Sequence, residues 1–146
     1  MSVGNDFAEL FGQSVMGKDK SEVPVSSFTG EQKYVGIYFS AHWCPPCRNF
    51  TPVLVEFYKK VKSKGLEIVF VSSDRDQESF DDYYDSMPWL TISYADRDRK
   101  GQLCEKFGVS GIPSFILLDG NTGAMITKDG RGRVQGDEDG NNFPWQ

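Results

Sequence analysis

The chain has 146 residues, 21 acidic against 16 basic side chains, a net charge of −5, and 38% hydrophobic residues with 11 Phe among them. That acidic balance argues against direct nucleic-acid binding, which needs a basic face, and no run approaches the about 20 apolar residues of a membrane span. Residues Met1-Ser-Val-Gly-Asn-Asp6 lack the basic start and apolar stretch of a secretory leader. With no internal repeat and no long linker, 1–146 reads as a single domain. Only Cys44, Cys47 and Cys104 are present, too few for a disulfide-built secreted scaffold, and they fit an intracellular protein whose disulfide is transient.

In chain order, Phe7, Leu10 and Phe11 fall at helical spacing and predict a short helix over 5–12. Residues 13–33 read as turns with a short edge strand around Val23-Pro24-Val25, so that 1–33 forms an N-terminal helix and edge segment. A strand is expected over 34–40, then a helix over 45–63 with a buried stripe of Phe50, Leu54, Phe57 and Val61. Pro52 removes a backbone donor inside that helix and predicts a kink. Gly65 ends the helix, and Leu66 to Val71 reads as a buried strand. Ser73 or Asp74 is the expected cap of a helix over roughly 76–86, whose apolar face is Phe80, Tyr83 and Tyr84.

An extended piece over 90–94, a helix over 97–107 ending at Gly108, and a strand over 114–118 follow. Asn121-Thr-Gly123 then turns the chain into a last strand at 124–127. The tail, 129–146, is Gly-rich and acidic, with only Phe143-Pro-Trp145 reading as anchored. Helices alternating with buried strands, closed by a hairpin, imply an α/β fold: a central mixed sheet flanked by helices on both faces.

Trp43-Cys44-Pro45-Pro46-Cys47 lies between the strand and the helix that follows it. A CxxC pair in that context is the mark of a redox site. With Cys44 as N-cap, Pro45 suits the first helical position because its missing N–H had no helical partner. Pro46 has no N–H either, which leaves the N–H of Cys47 as the nearest backbone donor for a Cys44 thiolate. The helix N-terminus favours the anion and brings such thiols from about 8.5 into roughly the 3.5–7.5 range. Cys44 is then the attacking thiol and Cys47, one turn deeper, the thiol that resolves the mixed disulfide.

Other readings of these residues carry less. A zinc site needs four ligands, and there is no second CxxC and only one histidine, His42. A purely structural disulfide constrains little when its loop is so short. Arg48 and His42 either favour the thiolate or are simply solvated, and Trp43 either packs into the core or walls the nucleophile. Cys104, beside Leu103 and Phe107, reads as a small buried hydrophobe.

The motifs together resemble the thioredoxin superfamily, and more closely its nucleoredoxin and tryparedoxin branch. The likeness is carried by Tyr38-Phe-Ser-Ala-His-Trp-Cys44, Pro45-Pro46, Phe50-Thr-Pro52 and Val69-Phe-Val-Ser-Ser-Asp-Arg75. Met87-Pro-Trp-Leu90, Gly111-Ile-Pro113 and Phe143-Pro-Trp145 extend it, and it spans about residues 34–146. It implies a thioredoxin fold and a nucleophile–resolver pair in Cys44 and Cys47. It also implies a cis Pro113 against the CxxC, with the Ile112 backbone pairing with an extended substrate. Trp43, Pro45, Pro46, Ile112, Pro113 and Arg131 are the implied substrate-binding residues, Arg131 having a solvated loop charge as its plainer reading.

The family's buried aspartate, six residues before the first cysteine, is Tyr38 here, which leaves the proton route to water, Tyr38 or another group. The expected function is that of a protein-disulfide reductase in redox homeostasis and signalling, in the cytoplasm and also the nucleus. No metal or organic cofactor is expected, the Cys44–Cys47 disulfide being the redox group. The expected partners are peroxiredoxin-like or redox-sensitive signalling and transcription proteins, with an external reductase or small thiol as reductant. A redox-switched binding protein with little turnover is the alternative. An oxidase or isomerase of the secretory pathway fits poorly with so few cysteines.

Overall fold

The computed structural model describes residues 7–145. The helix expected over 5–12 is present as α1, Phe7–Phe11; its first two expected residues, and the segment read above as lacking a leader, lie outside the described ones. A hairpin of β1, Ser14–Met16, and β2, Glu22–Pro24, follows. The central strands are β3, Tyr34–Ser40, and β4, Leu66–Ser72, separated by α2, Pro45–Val61. Then come α3, Gln77–Tyr84, β5, Leu90–Thr91, α4, Arg97–Phe107, β6, Ser114–Asp119, β7, Met125–Thr127, and α5, Gly130–Gly136.

The seven strands form one sheet in the order β2-β1-β5-β4-β3-β6-β7. The pairings β3·β4 and β4·β5 are parallel, and the rest are antiparallel. This is the expected mixed sheet, and the alternation of its side chains explains its two covered faces. Tyr38, Ile68, Phe70, Phe115 and Leu117 point to one side, where α2, α3 and α5 supply Phe50, Leu54, Phe80, Tyr83 and Val134. Val35, Ile37, Phe39, Val69, Val71, Ile116 and Leu118 point to the other, under α1 and α4 with Phe7, Phe11 and Leu103. A period of two along each strand therefore feeds two separate cores.

One strand here was not expected, and one helix cap needs correction. The edge strand near residue 23 has a partner, β1, in which only Val15 is buried, too faint a signal to read from alternation. Helix α2 runs unbroken through Pro52, whose ring is exposed. Asp76, not Ser73 or Asp74, caps α3, accepting the Ser79 N–H at 2.8 Å. The carboxylate of Asp74 is instead held by His42 and Ser72.

The tail is also more ordered than expected. Asp129 caps α5 by accepting the Gly132 N–H at 3.1 Å, and Val134 is fully buried. A side chain at Gly130 would stand 2.5 Å from the Phe115 carbonyl oxygen, so only glycine lets this helix begin against β6. At the other end of α2, the stop at Gly65 is as read: φ is 106° there, in the left-handed region that glycine adopts freely. Phe143 and Trp145 do anchor the tail, their rings packing on Phe57 at centroid distances of 5.9 and 5.4 Å.

A candidate dithiol active site

Three loops meet at the C-terminal ends of the central parallel strands: the CxxC loop after β3, Ser73–Asp74 after β4, and the loop before β6. Cys44 is the N-cap of α2, and its sulfur accepts the Cys47 N–H at 3.4 Å. Pro45 and Pro46 fill the first two helical positions and offer no competing donor. Cys44 and Cys47 are joined as a disulfide with Cα atoms 5.2 Å apart. Cys47 is fully buried, whereas Cys44 keeps 5% of its surface and Trp43 keeps 47%.

The opposing loop completes the pocket. Ile112 packs against Ala41, Cys44 and Cys47, and its carbonyl oxygen lies 3.8 Å from Cys44 Sγ. The Ile112–Pro113 peptide bond is cis, and Pro113 is buried. Phe143–Pro144, also cis, was not anticipated from sequence. Arg131 sits in the first turn of α5, half-buried, with its guanidinium carbon 6.0 Å from the Phe50 ring centroid. Trp43 does not enter the core: its indole N–H donates to the Ser73 carbonyl at 3.0 Å and its ring faces outward. His42 is exposed, and its ring stacks on Tyr83 at 5.3 Å. Arg48 is exposed. Cys104 is a half-buried free thiol packed on the α1–α4 side of the sheet.

Behind the disulfide lies a chain of hydroxyls that sequence reading largely missed. Thr51 Oγ1 is 2.6 Å from the Tyr38 hydroxyl, 2.6 Å from the Tyr83 hydroxyl and 2.9 Å from the Cys47 carbonyl oxygen. The carbonyl can only accept, so the single Thr51 proton points there and both phenols donate to Thr51. Ser40 Oγ, 2.6 Å from the Tyr83 oxygen, donates in turn. Burial, with the neighbouring Tyr83, pushes the Tyr38 phenol well above its ordinary value. With its proton committed to Thr51 and its anion disfavoured, Tyr38 is a poor base for the Cys47 thiol and a good positioning group for the first turn of α2. The signal available in the sequence was Thr51 itself, four residues after Cys47 and so on the same helix face.

Asp74 ties two loops together in the same region. It is buried, one oxygen accepting the His42 N–H at 2.7 Å and the other the Ser72 hydroxyl at 2.6 Å. Among the described residues, no group of three or more His, Cys, Asp or Glu is placed to hold a metal ion, and no helix is long and apolar enough to cross a membrane.

Two sulfurs three positions apart, one at a helix mouth and one sealed beneath it, can exchange a disulfide with a partner and then resolve it. Fold and dithiol together are those of the thioredoxin type. The family model described as "Thioredoxin-like" matches residues 31–124. The nucleoredoxin of Danio rerio is 48% identical over 141 residues, 95% of this chain and 33% of the relative. The tryparedoxin of Trypanosoma brucei brucei is 48% identical over 137 residues, 93% of this chain and 94% of the relative. Among solved structures, a tryparedoxin II complexed with glutathionylspermidine superposes with a TM-score of 0.90 at 36% identity, covering 97% of this chain and 98% of that one. The chain belongs to the thioredoxin-like family, in the branch of the nucleoredoxins and tryparedoxins. It spans about a third of the length of the vertebrate nucleoredoxins it matches, which cover it at 32–33% of their own length.

Proposed function

We propose that the chain is a protein-disulfide reductase whose redox group is the Cys44–Cys47 pair, with no metal or organic cofactor. The supporting observation is the asymmetry of that pair: Cys44 caps α2 and accepts the Cys47 N–H, while Cys47 has no exposed surface. In the reduced form the Cys44 thiolate attacks a substrate disulfide. One substrate sulfur leaves as a thiolate and takes up a proton, and a mixed disulfide forms. Cys47, losing its proton, attacks Cys44 Sγ and releases the second substrate thiol. The substrate gains two electrons and two protons, and the Cys44–Cys47 disulfide is left to be reduced from outside.

The substrate chain lies across Trp43, Pro45 and Pro46 and runs extended past Ile112 and Pro113, with Arg131 at the rim. Partners of the matching class are oxidised proteins: peroxiredoxin-like substrates and redox-sensitive signalling or transcription proteins in the cytoplasm and nucleus. The electron donor is a reductase or a small thiol; the structural relative complexed with glutathionylspermidine supports the thiol. Insulin reduction with dithiothreitol as donor tests the assignment. Wild type is expected to accelerate it, Cys44→Ser to fall to the dithiothreitol background, and Cys47→Ser to accumulate mixed disulfides. Full activity in Cys44→Ser refutes it.

A further inference from the structure

Arginines stand close to the disulfide although the chain is acidic overall. The protein has 21 acidic and 16 basic residues, yet Arg48 directly follows Cys47, Arg75 stands over Trp43 and Arg131 stands over Phe50. Among the described residues, none of the three has a carboxylate within ion-pairing distance. Arg75 is the best placed. It is exposed, and its guanidinium carbon stands 4.8 Å from the centroid of the Trp43 ring. That ring is fixed from below by the indole N–H bond to Ser73 and adjoins Cys44 in the chain.

The neighbouring carboxylates are committed elsewhere. Asp74 takes the His42 N–H and the Ser72 hydroxyl, and Asp76 takes the Ser79 N–H. The guanidinium therefore stands over an aromatic face with none of these carboxylates as its partner, and its donors can meet a carboxylate on an incoming segment.

We propose that Arg75 is a specificity-determining residue: stacked on Trp43 at the lip of Cys44, it selects protein disulfides flanked by acidic residues. The proposal rests on the reductase reading. A segment approaching Cys44 across Trp43 meets this guanidinium before the sulfurs meet. Complementary charge acts at encounter and in register, and is screened by salt. One guanidinium and one carboxylate about 6 Å apart in water differ enough in energy for about a threefold change in rate.

Two cystine peptides, identical except for flanking aspartates or lysines, test this with dithiothreitol as an uncharged reductant. The readout is the ratio of kcat/KM for the acidic over the basic peptide, each corrected for direct reduction. The wild-type ratio is expected above one at low salt and to collapse towards one at about 1 M salt, where the screening length is about 3 Å. Each rate moves about threefold per unit charge and the two peptides move in opposite directions, so Arg75→Gln lowers the ratio about tenfold and Arg75→Glu about a hundredfold. Lys59→Gln, an equal charge change in the last turn of α2 at the far end from the cysteines, leaves it unchanged. Mere misplacement of Trp43 slows both peptides together and does not move the ratio. An Arg75→Gln ratio equal to that of wild type, with insulin reduction intact, overturns the selectivity alone. A wild-type protein that reduces neither peptides nor insulin overturns the reductase reading and the selectivity with it.

Discussion

The front and the back of the same disulfide are built to different rules. In front, Trp43 and Arg75 are exposed, Arg131 half-buried, and among the described residues these two arginines have no carboxylate within ion-pairing distance. Behind, Ser40, Thr51, Tyr38 and Tyr83 are buried, and every hydroxyl proton has an acceptor or is spent donating along the chain. Unsatisfied buried polar groups are costly and exposed charges are not. The rim is thus free to vary with the partner, while the hydroxyl chain is bound to the helix start it holds.

Breaking the back is expected to produce the largest loss of stability. Thr51→Val keeps the shape and removes the oxygen at which both phenols converge. Tyr38 and Tyr83 lose their shared acceptor, at a cost of about 1–3 kcal/mol, read as a lower urea midpoint at unchanged slope. Thr51→Ser, which keeps the hydroxyl, should restore most of the loss. Equal midpoints for Thr51→Val and wild type would remove the structural role assigned to the chain of hydroxyls.

The same contrast explains what was legible beforehand. Strands β3 and β4 and helix α2 announce themselves by dense apolar periodicity, and the CxxC by local spacing, so both cysteines and the helix mouth were readable. Helix α5 has one buried apolar side chain among three glycines of its own, and β1 has only Val15, so periodicity had nothing to count. The hydroxyl chain joins Tyr83 to Ser40 and Thr51, 43 and 32 residues away. The Arg75–Trp43 stack likewise depends on where β4 ends beside β3. Such pairings are set by sheet order, which local spacing does not contain. The tyrosine in place of the family's aspartate was visible from sequence; that its proton is committed to Thr51 needed the positions of three oxygens.

A smaller effect is expected from Tyr38→Phe, because Thr51 still receives a proton from Tyr83; about 1 kcal/mol is lost near neutrality. The pH dependence sharpens this. Burial raises the phenols of Tyr38, Tyr58 and Tyr84 above their ordinary value near 10. Below about pH 10 both folded and unfolded chains hold these protons and the stabilisation is complete. Above it the unfolded chain releases them first, so it binds fewer protons and stability falls as pH rises. Urea midpoints taken through the alkaline range should drop, and in Tyr38→Phe less steeply, by up to about 1.4 kcal/mol per pH unit. Parallel curves for the two proteins would mean that Tyr38 ionises freely in the folded state.

The smallest change in stability belongs to the front. Trp43→Ala removes an exposed ring, one hydrogen bond to Ser73 and the seat of Arg75, none of which reaches either core. A surface change of this kind stays within about 0.5 kcal/mol, so its urea midpoint should coincide with that of wild type. Insulin reduction should nonetheless slow, because the wall beside Cys44 is gone. A slow but fully stable Trp43→Ala, set against a destabilised Thr51→Val, separates the two halves of the site experimentally. A midpoint loss as large as that of Thr51→Val would show instead that the rim is held as tightly as the back, and that the division drawn between them does not exist.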